Sequence, residues 1–284
     1  MVSKKEKSKL FLQNGFEYIC PICSNNLIFK NDTMICENRH NFDISKKGII
    51  CLLNTGKFKT NHIYDKNLFI HRRRFINNGF YDELYKNIAC IINNYTKSNI
   101  SIIDLGCGEG KIDNCIIEEL NKDYCFLGID YNKDAVNLAL DYEKENIGFI
   151  VSDVNNLPIK NNSVDIILNV LSPYYSEEIK RVLRKEGLFI KVIPEKKYLI
   201  ELRNILGFDD YEKTNLLKRK LEKNFEILQE IDIDKKHKIS KEQIQDLQVM
   251  TPLIKSKKLK DKDNKNIDID SITINLKILV MRRK

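Results

Sequence analysis

The chain has 284 residues, 42% hydrophobic and 31% charged. It holds no apolar run of about 18 residues, which suits a soluble globular protein and excludes a membrane-spanning one. At this length one large domain and one small one are expected. The net charge of +8 is uneven: residues 1–80 carry 14 Lys and Arg against 6 Asp and Glu, and the rest of the chain sums to zero. That asymmetry points to an anionic partner, most often nucleic acid, for the N-terminal part; a solubilising lysine-rich surface is the plain alternative. The opening "MVSKKEKSKLFLQNGF" has neither an apolar core nor a cleavage site and does not read as a secretory signal. A cytoplasmic location is therefore expected, where the eight Cys are metal ligands, core residues or reactive thiols before they are disulfides.

The first motif is "YICPICSNNLIFKNDTMICENRH", with Cys20, Cys23, Cys36 and His40 in the pattern C-x2-C-x12-C-x3-H. Four N/S ligands satisfy tetrahedral zinc and leave no open position, so the expected site is structural, with one ion per chain. The intervening residues fit a short hairpin that turns at Asn31-Asp32. A redox C-x-x-C is the alternative, but the thioredoxin-like strand and helix that usually hold one are missing around Cys20. Cys51, in "GIICLL", reads as a small core residue. A unit this small cannot bury enough core to fold alone, so metal binding would supply its folding energy. Lys30, Arg39, Lys46, Lys47, Lys57 and Lys59 decorate it, as expected of a nucleic-acid reader. Arg72, Arg73 and Arg74 read either as phosphate ligands or as a solvated helix face.

From about Leu84 helices and strands alternate. "ELYKNIACIINNY" places Leu84, Ile88, Ile91 and Tyr95 on one helical face. "ISIIDLGCGEGKIDNCIIEEL" reads as strand, glycine turn and helix. "YCFLGIDYN", "IGFIVSDVNNLP", "SVDIILNVLSPYY" and "EGLFIKVIP" continue the strands, with helices at "KDAVNLALDYEKEN" and "SEEIKRVL". Two further β-rich runs flank a helix near "KEQIQDLQVM". This order predicts a parallel sheet with helices on both faces, and ligands bound at the carboxyl ends of its strands. The turn Asp104-Leu105-Gly106-Cys107-Gly108-Glu109-Gly110 is G-x-G-x-G, not the nicotinamide fingerprint. Asp104, Asp130 and Asp153 end or follow three successive strands. That trio suits S-adenosylmethionine, with its ammonium and sulfonium, better than a pyrophosphate. Asp130 stands where a carboxylate accepts both ribose hydroxyls. Each Asp could instead be a turn former or helix cap.

Taken together, "DLGCGEG", "GIDYNKDAV" and "NNLPIKNNSVDIILN" resemble the class I methyltransferases. The zinc pattern, followed by "RHNFDISKKGIICLL" and "RRRFINNGFYDEL", resembles the bacterial large-subunit (23S) ribosomal RNA guanine-N1 methyltransferases, some of which confer macrolide resistance. The resemblance runs from about Tyr18 to about Ile205 and returns at "LQVMTPL". It implies an α/β fold: a class I (Rossmann-like) methyltransferase domain with a small N-terminal zinc-binding domain. The expected division is a zinc-binding RNA-recognition domain over 1–55, a linker and cofactor-lid segment over 56–83, and the methyltransferase domain over 84–284. Cys20, Cys23, Cys36 and His40 match the zinc ligands, and Tyr81, Gly108 and Glu109 match cofactor contacts. Tyr198 falls where relatives carry a cofactor-contacting histidine. "LRKEGLF" lacks the usual Pro-Gly-Gly, and Leu253 stands where an aromatic is expected. The candidate cofactor set is Tyr81, Asp104, Gly106, Gly108, Glu109, Gly110, Asp130, Tyr131, Asp153, Val154, Asn169 and Tyr198.

The implied chemistry is methyl transfer from S-adenosylmethionine to N1 of a guanine in a 23S ribosomal RNA hairpin. N1 carries a proton and lies on the Watson–Crick edge, so the base must be deprotonated and exposed. Asn169, Pro173 and Tyr174 are the candidates for the target-base pocket, with the two tyrosines after Pro173 packing on the next helix as the alternative. No residue stands out as the base. A homodimer is kept among the possible partners. Two other functions compete. A small-molecule methyltransferase acting on a quinone or lipid precursor has no evident need for a basic zinc knob. A non-catalytic RNA-binding protein has no evident need for the glycine turn and Asp130.

Overall fold

The computed structural model describes residues 2–54, 64–95, 99–208, 213–251 and 267–284. Lys57, Lys59, Leu253 and the expected boundary at 55/56 lie outside the described residues.

The chain opens with a helix that the sequence pattern does not announce. Helix α1 (Lys4–Asn14) is capped by Ser3, whose side chain accepts from the Glu6 N–H at 3.2 Å. Its apolar residues gather at one end and form no 3.6-residue stripe. Phe11 and Leu12 turn inward onto the main sheet. The zinc region forms a small antiparallel sheet, β1 (Leu27–Lys30), β2 (Thr33–Cys36) and β3 (Asn41–Asp43). The β1–β2 hairpin turns at Asn31-Asp32, as expected. Both residues have positive φ (50° and 64°), the conformation a two-residue hairpin loop needs and Asn and Asp tolerate.

Cys51 packs against the main apolar core, as expected of a small core residue, and does so from a short strand. β4 (Cys51–Leu52) pairs in parallel with the edge of the large sheet. Helix α2 (Lys66–Asn77) is capped by Asp65, and α3 (Asp82–Tyr95) buries Leu84, Ile88 and Ile91 as expected. The side chain of Tyr95 lies outside the described residues. The alternating region supplies β5 (Ile100–Leu105), α4 (Lys111–Glu118), β6 (Tyr124–Asp130), α5 (Lys133–Ala139) and β7 (Ile147–Ser152). After these come β8 (Val164–Val170), α6 (Ser176–Val182), β9 (Leu183–Pro194), α7 (Ile200–Leu206) and α8 (Lys213–Glu222). The chain closes with β10 (Phe225–Lys238), α9 (Lys241–Met250) and β11 (Ser271–Arg283).

The eight-stranded sheet has the order β10-β11-β9-β8-β5-β6-β7-β4. It is mixed, not wholly parallel: β11 inserts between β9 and β10 and runs antiparallel to both. The chain steps outward from β5 through β6 to β7, then returns to the other side of β5 to lay down β8 and β9. That reversal opens a crevice at the carboxyl ends of β5 and β8. Among the described residues no helix is long and apolar enough to cross a membrane.

The described N-terminal residues share a core with the large sheet. Phe11, Tyr18, Cys20, Met34, Ile50 and Leu52 share one apolar cluster with Ile103, Leu127 and Ile159 of the large sheet and its loops. The small sheet docks through backbone bonds: Ile19 N–H to the Pro158 carbonyl (3.0 Å) and Lys160 N–H to the Glu17 carbonyl (3.0 Å). A small unit with too little apolar area gains burial by leaning on a large one. Phe11 fits where β7 has no side chain, since a Cβ on Gly148 would fall 2.1 Å from the Phe11 ring. Phe11→Ala is expected to cost about 3–5 kcal/mol in urea unfolding of the full chain. A loss under about 1 kcal/mol would show that α1 is a detachable appendage.

Candidate functional site

Two sites are assembled. In the first, Cys20 and Cys23 lie on a tight knuckle, Cys36 ends β2, and His40 follows the turn after it. The knuckle is held by the Ser24 N–H to the Cys20 carbonyl (2.8 Å), and the turn by the Arg39 N–H to the Cys36 carbonyl (2.9 Å). The four ligand atoms lie within 4.8 Å of one another. Cys23 Sγ is 3.7 Å from Cys36 Sγ, and His40 Nδ1 is 3.6 Å from Cys20 Sγ and 3.5 Å from Cys36 Sγ. A zinc tetrahedron with Zn–S of about 2.3 Å and Zn–N of about 2.05 Å has S···S edges of about 3.75 Å and S···N edges of about 3.55 Å. The donor set fits the ion in kind and in spacing.

The second site is a cleft of about 1560 Å³ at the carboxyl ends of β5, β6 and β7. Asp104 and Gly106 form its floor, with Gly108 and the backbone of Glu109 in the turn above. The Asp130 carboxylate accepts from the Gly108 N–H (2.9 Å) and the Asn132 N–H (2.7 Å). Asn132, not Asp130, caps α5. Asp130 therefore lines the cleft rather than serving as the cap, and it has lone pairs left for two hydroxyls. Burial pushes its carboxyl up, against those two N–H donors. Tyr131, Asp153 and Val154 extend the wall. Asp153 accepts from the Asn155 N–H at 2.9 Å, so it forms a turn and faces the cleft as well. Tyr81 and Tyr198 close one end, their hydroxyls 2.7 Å apart.

Asp104 is buried against the carboxyl of Asp113, and its Oδ1 meets no N–H donor among the described residues. Burial raises its carboxyl, as it does that of neighbouring Asp113 on α4. An unpaired buried carboxylate oxygen beside a cleft is costly until a donor arrives, and an ammonium supplies one. These residues fit S-adenosylmethionine.

Several expected residues sit elsewhere. Gly110 starts α4 with φ +77° and packs toward Ala139 and Phe149 instead of the cleft. The Glu109 carboxylate is buried and held by Arg73 (3.0 Å), so only its backbone side is available. Asn169 is fully buried behind the wall; its amide donates to the carbonyls of Leu105 (2.7 Å) and Pro173 (3.0 Å). Pro173 lines the cleft, but Tyr174 turns away to pack near Phe189, and Tyr175 takes the place at the mouth. Of the three arginines, Arg73 binds Glu109 and Asp141 and Arg74 binds Asp246; Arg72 lines the cleft beside Asp130. Leu171 and Ser172 line the cleft from the same loop, and Lys191 is a cleft residue that sequence reasoning missed. The signal for Lys191 was one charge inside the apolar run Phe189-Ile190-Lys191-Val192-Ile193. Burial lowers its ammonium pKa to about 7, against the pull of Asp104.

The family profile described as "Methyltransferase domain" matches residues 96–245, and the profile described as "RlmA, N-terminal", a zinc ribbon, matches residues 18–57. YxjB of Bacillus subtilis (strain 168), described as a candidate 23S rRNA (guanine-N(1)-)-methyltransferase, is 33% identical over 202 residues, covering 69% of this chain and 70% of that protein. This chain belongs to that methyltransferase family. The methyltransferase is also 25% identical over 198 residues to the 23S rRNA (guanine(748)-N(1))-methyltransferase of Streptomyces fradiae, over 69% of this chain and 70% of that one. A solved candidate methyltransferase from Bacillus halodurans C-125 superposes with a TM-score of 0.47 at 16% identity, over 70% of this chain and 98% of that one. The methyltransferase uses S-adenosylmethionine and carries a zinc ribbon.

Asp130→Ala is expected to weaken cofactor binding by about 1.5–3 kcal/mol, because charge-assisted bonds to a ribose are lost and the Gly108 N–H is released. Calorimetry with S-adenosylhomocysteine measures it; unchanged affinity would reduce Asp130 to a brace for the turn. Metal analysis of fresh protein should find one zinc per chain, and Cys36→Ser should lose it. Zinc-free protein with all eight thiols freely titratable would contradict the ribbon assignment.

Proposed function

We propose that this methyltransferase transfers a methyl group from S-adenosylmethionine to N1 of a guanine in a hairpin of 23S ribosomal RNA, with the zinc ribbon carrying part of the RNA. The observation that carries the reading is the placement of the ribbon. The Asn156 amide donates to the Pro21 carbonyl of the knuckle at 2.9 Å, and Asn156 is two residues from Val154 in the cleft wall. An RNA held on the ribbon is therefore close to the cofactor cleft. Lys30, Arg39, Lys46 and Lys47 are exposed on the ribbon and suit a phosphate backbone. The names of the relatives support the same substrate.

In this reading Cys20, Cys23, Cys36 and His40 hold the zinc. Asp104 takes the ammonium end of the cofactor, Asp130 its ribose, and Asp153 with Val154 the adenine side. Residues 64–81 act as the lid, since Tyr64, Phe69, Arg72, Ile76 and Tyr81 all line the cleft. When bound, S-adenosylmethionine supplies an electrophilic methyl group on a sulfonium. The chain's own work is to present N1 to it. Leu171, Pro173 and Tyr175 surround the mouth and offer an apolar and aromatic surface for a base turned out of its stem. Leu171 has φ +52°, a strained conformation for a branched residue, and exposes its side chain there. The site of action is the cytoplasm, where ribosomal RNA is made. A homodimer is decided by light scattering: twice the chain mass supports it and a single chain mass excludes it.

The test is methylation of 23S RNA transcripts followed by nucleoside mass mapping. N1-methylguanosine at one hairpin position supports the proposal; methyl transfer only to small molecules refutes it. Lys46→Glu with Lys47→Glu should weaken RNA binding and flatten the slope of log affinity against log salt by about 0.7–0.9 for each phosphate the ribbon no longer neutralises. Zinc content should be unchanged. An identical slope in the variant would remove the ribbon from RNA recognition.

A further inference from the structure

We propose that Lys191 is the base that takes the N1 proton of the target guanine; the inference rests on the function proposed above. Lys191 sits in the middle of β9, paired in register with Asn169 of β8, and is 3% exposed. Its side chain lines the cleft beside the loop of Ser172 and Pro173. There it donates to Asn169 Oδ1 and to the Ser172 carbonyl (2.8 Å).

Asn169 cannot turn its amide over. Its Nδ2 spends both N–H groups on the Leu105 and Pro173 carbonyls, so Oδ1 must face Lys191. A neutral amine has two N–H groups and one lone pair. Both N–H groups are used, and the lone pair is left. Asn169 is thus a positioning residue that fixes the orientation of the Lys191 nitrogen, and its full burial follows from that role. The Ser172 side chain, on the same loop, is so close to Gly106 that a Cβ there would fall 2.0 Å from its Oγ. The Lys191 nitrogen and the glycine turn therefore meet at one place, where cofactor and acceptor must also meet.

The surroundings of Lys191 favour a free amine near neutral pH. β11 faces it with Leu279 and β8 with the neutral Asn169. The charged form is favoured by the Tyr174 ring of the loop after β8, 5.5 Å from Nζ, by the two oxygen acceptors, and by Asp104 of β5, with Asp113 of α4 and Asp130 of β6 behind it. Burial outweighs that pull and sets the midpoint at about 7, so the neutral fraction grows as pH rises through that value. Of the other acidic groups at the cleft, Glu109 is held by Arg73, and in the proposed reading Asp104 and Asp130 serve the ammonium and ribose of the cofactor. The step balances. Guanine N1 gives its proton to the Lys191 amine, and its electron pair forms the bond to the methyl carbon. The carbon–sulfur bond breaks with its electrons kept on sulfur, which ends as a neutral thioether. The positive charge that began on sulfur finishes as the Lys191 ammonium.

Single-turnover methylation of 23S RNA from about pH 6 to 9 is measured for the full-length protein and for Lys191→Arg and Lys191→Met. The unaltered rate should rise through about pH 7 and level off. Both variants should lose about a hundredfold or more at pH 8, because arginine keeps the charge and the donors but cannot accept a proton. Calorimetry should give S-adenosylhomocysteine affinities within about threefold of the unaltered protein. A second readout needs no turnover: in the cofactor-free protein with 13C-labelled lysines, one ε-carbon resonance should titrate near pH 7 and be missing from Lys191→Arg. Activity of Lys191→Arg within about threefold of the unaltered protein overturns the proposal and leaves a charged donor. So does the lack of any lysine titrating below about pH 9, a result that stands even if a variant fails to fold. If the unaltered protein binds S-adenosylhomocysteine but forms no N1-methylguanosine, the RNA reading itself fails and takes this assignment with it. Methylation that survives in both variants sinks the assignment alone.

Discussion

The Asp130 carboxylate, at the end of β6, grips the Gly108 N–H with one oxygen and the Asn132 N–H with the other. The Ile129 carbonyl beside it accepts from the Gly106 and Cys107 N–H groups at 2.8 and 3.1 Å. The glycine turn after β5 is therefore pinned across the sheet to β6, and α5 starts from the same anchor. Gly106, at φ +86°, leaves room for the loop after β8 to come down onto the turn. The turn and that loop meet just beyond the paired ends of β5 and β8. The cleft is what remains between the pinned turn and that loop, with Asp104 beneath it and Asp153 at its far wall. Each function assigned to the cleft depends on this arrangement of backbone N–H groups around one carboxylate.

The zinc ribbon is part of the same framework. Its buried Cys20 and Cys36 share an apolar cluster with Leu157 and Ile159, which follow the cleft residues Asp153 and Val154 in the chain. Metal-driven folding of the ribbon thus braces the loop that carries one cleft wall. The basic excess of the N-terminal quarter is also less free than its total suggests. Lys5 and Lys9 pair with Asp32, Lys4 and Arg73 with Asp141, and Arg74 with Asp246. Among the described residues, what remains for an anionic partner includes the smaller set exposed on the ribbon, Lys66 on α2, and Arg72 inside the cleft.

The zinc ligands, the Asn31-Asp32 turn, the strand order around the glycine turn and the three aspartates were legible, because local spacing and period encode them. Helix α1 was not. Its contact with Gly148 joins residues 137 apart in sequence, and nothing in "KKEKSKLFLQN" shows which surface Phe11 will meet. How the ribbon docks was hidden for the same reason: charge and cysteine spacing mark it out, but they do not show the apolar cluster that joins it to the large sheet. In the loop after β8 the choice between Tyr174 and Tyr175 turned on which ring Phe189 draws inward. Asn169 and Lys191 showed a partial signal, as polar residues within apolar strands. Only their pairing across two strands explains why both are buried. The antiparallel insertion of β11 was hidden because a buried strand reads alike in either direction.

The central claim is that this cleft and ribbon act together on one guanine of 23S ribosomal RNA. Methylation at N1 blocks Watson–Crick pairing, so reverse transcription across the modified base stops. The direct measurement is primer extension on 23S RNA from host cells with the gene, without it, and with Asp130→Ala in its place. The account predicts one strong stop at a hairpin guanine that disappears with the gene, returns with the unaltered protein, and stays weak with the variant. Identical extension profiles in cells with and without the gene would contradict it.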